Sequence, residues 1–141
     1  MDDTDRKLIA LLQANGREPT SSLARKLGLS RSTVQDRLLR LEEQKVIGGY
    51  TLRFNEDYDR RLIRAHVMIS INPKFADRVA HTLKQMLAVK ALYAVSGQYD
   101  LIAILEAEST QDIDRSLDEI GRIAGIEKTM SSIVLSTKLE R

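Results

Sequence analysis

Apolar residues cluster at helical spacing three times in the first third of the chain. Leu8, Ile9, Leu11 and Leu12 form the first cluster, and Asp2 or Asp3 stands where an N-cap is needed. Asn15-Gly16 is the expected stop, because glycine takes the left-handed C′ conformation without steric cost. Pro19 and Thr20 start a second helix that carries Leu23, Ala24 and Leu27 and ends at Gly28 after barely two turns. Ser30 caps a third, with Val34, Leu38 and Leu41 on one stripe at i, i+4 and i+7. Val46 and Ile47 continue the core side, Gly48-Gly49 is a turn, and Tyr50-Thr51-Leu52-Arg53-Phe54 alternates like a strand. Residues 1–54 are thus expected to form one domain, a helix-turn-helix with a wing. Residues 55–63 are mostly polar, lack a period and read as a linker.

The pattern then changes to β-α-β-β-α-β over residues 64–141. Ala65, Val67, Ile69 and Ile71 alternate on one face of a strand at 64–71. Asn72-Pro73 opens a helix with Phe75, Val79, Leu83 and Met86 as its stripe, since asparagine caps and proline suits the first turn. Strands at 90–95 and 100–107 flank the turn Ser96-Gly97-Gln98-Tyr99. A helix at 110–123 faces Ile113, Leu117 and Ile120 inward, and a strand at 127–138 closes the order. The fold class is α+β: an N-terminal winged helix-turn-helix plus a ferredoxin-like sandwich, with two helices on one face of an antiparallel sheet.

That sheet has a burial problem. The strand at 100–107 is apolar on both faces, with Leu101, Ala103 and Leu105 on one and Ile102 and Ile104 on the other. Residues 64–71 put Met68 on their second face, and residues 127–138 put Val134 on one face with Ile133 and Leu135 on the other. Two helices cover one face, and a solvated second face should be polar. A second subunit is therefore expected to cover it, giving a sheet-on-sheet homodimer.

Composition narrows the function. The chain of 141 residues is 43% hydrophobic and 30% charged, which is globular. It has no cysteine, and two histidines, His66 and His81, are too few for a metal cluster. A packed or hydrogen-bonded role suits His66 on its strand, and His81 sits on an exposed helix side. The acidic residues Glu106, Glu108, Asp112, Asp114, Asp118 and Glu119 lack the spacing of a calcium loop and read as a solvated face. No nucleophile–base set or phosphate-cradling glycine loop is present, so neither an enzyme nor a cofactor is expected. The N-terminus is acidic, unlike a signal peptide, and the run Leu101–Leu105 is far short of the roughly 20 residues that span a bilayer. A cytoplasmic protein is expected.

Net charge is 22 − 20 = +2, and its distribution is uneven. Residues 63–141 hold ten basic and ten acidic residues. Residues 17–40 hold Arg17, Arg25, Lys26, Arg31, Arg37 and Arg40 against Glu18 and Asp36. A polyanion would dock there. The turn Gly28-Leu29-Ser30 between two short helices frees the second to enter a major groove. Its candidate DNA contacts are Ser30, Arg31, Ser32, Thr33, Gln35 and Asp36, with arginine suited to guanine and glutamine to adenine. Arg37 and Arg40 lie further along, where phosphates or acidic neighbours are the alternatives. Ser30 combines capping with donation to a phosphate. An ordinary three-helix bundle with a solvated basic face would show the same charges.

Together these residues resemble the Lrp/AsnC (leucine-responsive/asparagine regulator, feast/famine) transcription factors of bacteria and archaea. The matching stretches are Asp2-Asp3-Thr4-Asp5-Arg6-Lys7-Leu8-Ile9, Asn15-Gly16-Arg17, Leu23-Ala24, Gly28-Leu29-Ser30, then Val34, Arg37, Leu38, Leu41 and Glu42, Val46-Ile47-Gly48-Gly49-Tyr50, and Val95-Ser96-Gly97-Gln98-Tyr99-Asp100. The resemblance spans the chain and implies a nucleoid-associated regulator that binds double-stranded DNA. It also implies dimers that build octamers (tetramers of dimers), with amino acids or related metabolites bound in clefts where dimers meet. Carried over, the effector candidates are Gly97, Gln98, Tyr99 and Asp100, whose carboxylate suits an α-ammonium, with the hydroxyls of Thr129 and Ser131. A hairpin turn in which Asp100 bonds its own backbone is the plainer alternative. An architectural DNA-wrapping protein without an effector is the alternative function. One departure stands out: relatives often carry glycine before the Val-Ile pair, where this chain has Lys45. A left-handed Lys45 would carry strain of order 1 kcal/mol.

Overall fold

The computed structural model describes residues 1–59 and 61–141; Arg60, in the expected linker, lies outside the described residues. The chain divides into two compact units, Met1–Arg53 and Phe54–Arg141.

The first unit holds helices α1 (Asp3–Ala14), α2 (Thr20–Leu27) and α3 (Arg31–Glu43). Asp2 caps α1 in a reciprocal box with Asp5, which satisfies two backbone amides that a helix start leaves open. Leu8, Leu23, Ala24, Val34 and Leu41 are buried together, each large one contributing roughly 1.5–3 kcal/mol by leaving water. Gly28 (φ +66°) ends α2 as expected: the Leu29 amide donates to the Ala24 carbonyl at 2.9 Å.

Three expectations are corrected here. Gly16 is not left-handed; α1 ends because Asn15 turns extended and its side chain accepts the Arg17 amide at 3.1 Å. Val46 does not continue the core side: it is 47% exposed, and only Ile47 of that pair packs inward. Residues 50–54 form no strand. A strand needs a hydrogen-bonded neighbour, and the regular elements of this unit are all helices.

The second unit begins with a helical turn, α4 (Glu56–Asp59), inside the expected linker. It continues as β1 (Ile63–Ile71), a 3-10 turn at Pro73–Phe75, α5 (Ala76–Gln85), β2 (Val89–Ala94), β3 (Leu101–Ala107), α6 (Thr110–Gly121) and β4 (Ile126–Ile133). The antiparallel sheet runs β2-β3-β1-β4, the ferredoxin-like order. Ala65, Val67 and Ile69 pair with Leu105, Ala103 and Leu101, and all six are buried beneath Val79, Leu83, Ile113 and Ile120 of the two helices.

The last strand stops at Ile133 rather than 138. Ile133 already faces Ala65 near the start of β1, so the pairing edge runs out; the Val134 amide takes one more carbonyl, that of Arg64, at 2.9 Å. The opposite sheet face presents His66, Met68, Ile102, Ile104, Tyr93 and Met130, with Tyr93 55% and Met130 46% exposed.

Candidate DNA-binding and sensing sites

The candidate DNA-binding element is α3. Ser30 caps it: its Oγ accepts the Thr33 amide at 3.2 Å and lies 2.7 Å from the Thr33 hydroxyl and 3.1 Å from the Ser32 hydroxyl. Thr33 is thereby half-buried. Arg31, Ser32, Gln35 and Asp36 are exposed, and Ser32, Gln35 and Asp36 fall on one stripe with Leu39, 54% exposed, at spacings of three and four. Leu39 was not among the residues expected on that stripe. Its signal was phase: Val34, Leu38 and Leu41 define the buried stripe, and Leu39 lies off it.

Arg37 and Arg40 take the acidic-neighbour alternative. Arg37 Nη1 donates to both Asp2 oxygens at 2.9 and 2.8 Å and to Asp5 Oδ1 at 2.9 Å. Arg40 Nη2 lies 3.4 Å from each Asp5 oxygen. Asp5 is 2% exposed, and no sequence expectation gave it a role beyond the start of α1. The Arg37 guanidinium, then the Asp5 amide, hold Asp2 down from 3.8 to about 2. Burial opposes ionisation of Asp5, but the Arg37 bond and the Asp2 amide outweigh it, and its carboxyl also sits below the usual value. The same two carboxylates raise Arg37. Lys26 and the Ser22 hydroxyl, both on α2, similarly lower Glu18, which lies just before that helix. Among the described residues, no ion pair reaches Arg17, Arg25 or Arg31, and all three are exposed.

The end of α3 carries the anticipated strain. Lys45 (φ +57°) is the one non-glycine residue with positive φ among the described residues. Its amide bonds the Glu42 carbonyl at 3.0 Å and the Val46 amide bonds Leu41 at 2.9 Å, the paired bonds of a left-handed C-cap. The Tyr50 hydroxyl donates to Glu42 at 2.8 Å; burial and that carboxylate raise the phenol.

In the second unit the β2–β3 turn is stitched to β1 through Asp100. Its Oδ2 accepts the Ile71 amide at 2.9 Å, its own amide donates to the Ile69 carbonyl at 2.9 Å, and its carbonyl accepts Val95 at 3.0 Å. The carboxylate thus bonds a neighbouring strand rather than its own turn. Gly97 (φ +124°) takes a conformation that side chains disfavour. Gln98 is exposed beside it. The Tyr99 hydroxyl reaches Met130 Sδ at 3.9 Å. Thr129 and Ser131 share a face as expected, opposite Ile69 and Val67 on the helix side of β4, whereas Met130 faces the other way. Within one chain β1 lies between β4, which carries these two hydroxyls, and β3, which the Gly97–Asp100 turn enters; of that turn, Tyr99 reaches across to β4 at Met130.

His66 lies exposed on the open sheet face, lining a shallow depression of about 240 Å³ with Met68, Ile102, Ser132, Ile133 and Val134. His81 Nε2 lies 3.1 Å from Gln85 Nε2. Among the described residues no group of three or more His, Cys, Asp or Glu side chains could hold a metal ion, and no helix is long and apolar enough to cross a membrane.

Comparison with known proteins bears on both units. Residues 1–42 match the AsnC-type helix-turn-helix domain, and residues 64–141 match the Lrp/AsnC ligand-binding domain. The HTH-type transcriptional regulator LrpA of Mycobacterium tuberculosis is 34% identical over 97% of this chain and 91% of its own length. The structure of Escherichia coli AsnC superposes with a TM-score of 0.90 at 21% identity, covering 100% of this chain and 96% of that one. A Neisseria meningitidis transcriptional regulator solved as a complex with L-Met superposes with a TM-score of 0.89 at 23% identity over 99% and 93% of the two chains. The chain belongs to the Lrp/AsnC family: it is a transcriptional regulator with a helix-turn-helix DNA-binding domain and an Lrp/AsnC ligand-binding domain.

Proposed function

We propose that this regulator reads specific DNA sites through α3, pairs with a second copy through its open sheet face, and responds to an amino acid or related metabolite at the Gly97–Asp100 turn. The observation that carries the proposal is the outward stripe of α3. Arg31, Ser32, Gln35 and Asp36 stand exposed behind a capped helix start, in the part of a recognition helix that meets base edges in the major groove. One such helix covers a short half-site. A second copy across the sheet supplies the other half, and apolar residues at the centre of that face give it a reason to pair. The turn supports the sensing role through Gly97, whose backbone lets a ligand approach, and the exposed Asp100 carboxylate. The methionine complex of the Neisseria relative supports an amino acid as the ligand class.

Selecting bound duplexes from a random pool tests sequence reading directly. The expected result is a two-fold symmetric motif that loses definition at one position per half-site in Arg31→Ala. An unenriched pool, or an unchanged motif in that variant, would overturn the assignment of α3 as the reader.

A further inference from the structure

Arg37 and Arg40 reach the same buried carboxylate and are held very differently. Arg37 makes three contacts to Asp2 and Asp5 of 2.8–2.9 Å, and its side chain is 21% exposed. Arg40 makes only two contacts to Asp5, at 3.4 Å, and its side chain is 51% exposed. If Arg40 leaves, Asp5 still has Arg37 and the Asp2 amide. If Arg37 leaves, a nearly dry carboxylate keeps only the long Arg40 contact, and stranding a buried charge is the costly event.

Helix geometry places the two arginines differently toward DNA. At 3.6 residues per turn, Arg40 lies about 40° from Asp36, on the rim of the outward stripe, whereas Arg37 lies about 100° away toward α1. A helix seated in a major groove meets bases along its outward stripe and phosphates along its rims. We propose that Arg40 is an exchangeable phosphate ligand, resting on Asp5 in the free protein and transferring to a backbone phosphate of duplex DNA. Arg37 stays on Asp2 and Asp5 as the fixed positioning residue that seats α3 against α1. The exchange is inexpensive because a half-exposed ion pair is worth little, while a phosphate offers shorter charge-assisted bonds. Asp5 thereby competes with DNA for one cation and holds down affinity for arbitrary sequence. This inference rests on α3 being the DNA-contacting helix.

The test measures binding of the full chain to a random-sequence duplex across a salt series, beside thermal melts of each variant. Arg40→Gln is expected to flatten the slope of log K against log[salt] by about 0.9 for each α3 bound, with little change in Tm. Arg37→Gln is expected to lower Tm and keep the slope. Asp5→Asn is expected to raise affinity in the native background and not in Arg40→Gln. An unchanged slope in Arg40→Gln overturns the exchange, as does equal flattening in Arg37→Gln at native Tm. Should Asp5→Asn fail to fold, the arginine pair alone decides. Arg31→Ala separates the two readings: if it blurs the selected motif while Arg40→Gln keeps the slope, only the exchange fails, and if neither changes binding, α3 is not the reader.

Discussion

The Gly125 carbonyl accepts the Asn72 amide at 2.8 Å, and a Cβ at Gly125 would lie 2.3 Å from Phe75 Cβ. The turn entering β4 therefore presses against the start of α5, at a φ of +99° that side chains rarely adopt. Gly125→Ala combines that backbone cost with a steric clash and should destabilise the second unit by about 2–4 kcal/mol. Urea unfolding followed by circular dichroism would measure it. A loss below about 0.5 kcal/mol would mean the turn relaxes freely.

Lys45 offers the opposite case. It closes α3 with φ +57°, where glycine would sit without strain. Lys45→Gly should stabilise the first unit by about 0.5–1 kcal/mol, the relief of strain less the extra backbone entropy of glycine. A rise in the denaturation midpoint of the helical signal would bear this out, and a fall would show that the lysine side chain contributes more than its backbone costs.

Much of this fold was legible from period alone. Leu8, Val34 and Leu41 in the first unit, and Val67, Ile69 and Leu105 in the second, lie in the core because spacing put them on one stripe or one face. What failed depended on partners distant in sequence. Tyr50–Phe54 alternates, yet alternation does not supply a neighbouring strand. The reach of β4 to Ile133 was set by where β1 begins, which β4's own pattern does not encode. The candidate site shows the same split. Ser30, Arg31, Gln35 and Asp36 were readable from a cap and a charge run. The binding of Arg37 to Asp5 was not, because 32 residues separate them and either arginine could equally have met phosphate.

Acid should loosen the first unit through the same carboxylates. The folded-state pKa of Asp2 is lowered from 3.8 to about 2, and Asp5 shifts in the same direction. A depressed folded pKa means stability that is present above the unfolded value and lost as pH falls through the folded one. The contribution is therefore complete above about pH 4 and disappears toward pH 2. Asp2→Asn should melt below the native chain at pH 7, and the gap should close as pH approaches 2. A gap independent of pH would assign the effect to the cap geometry rather than to charge.

Self-association should depend on the centre of the open sheet face. Ile102 lies between Met68 on β1 and Tyr93 on β2, on the side away from the helices. Its side chain makes no part of the buried core, so Ile102→Glu should leave the monomer folded. Across a two-fold interface the substitution sets an unpaired carboxylate, one from each copy, into an apolar patch. That should weaken association at least about 100-fold, since burying an unpaired charge costs several kcal/mol. Sedimentation velocity across a concentration series would show the native chain as a dimer or larger and the variant as a monomer. A variant that sediments like the native chain would place the interface elsewhere.

Asp100 stitches the turn to β1, and that role can be separated from the sensing proposed for it. Its carboxylate holds the Ile71 amide at the end of β1, and its backbone holds Ile69 and Val95, so side-chain truncation removes one stitch and leaves two. Asp100→Ala should therefore fold with a modest loss of about 1–2 kcal/mol, the roughly 1.5–3 kcal/mol of a hydrogen bond to a charged group reduced by exposure to water. Asp100→Asn keeps an oxygen that can accept the Ile71 amide but removes the charge that would meet an α-ammonium. Thermal melts against a panel of amino acids discriminate between stitch and sensor. If the turn binds the ligand, the native chain gains Tm with at least one amino acid, and both variants lose that gain although Asp100→Asn keeps native stability. A ligand-induced gain retained in Asp100→Asn would restrict this carboxylate to stitching the turn.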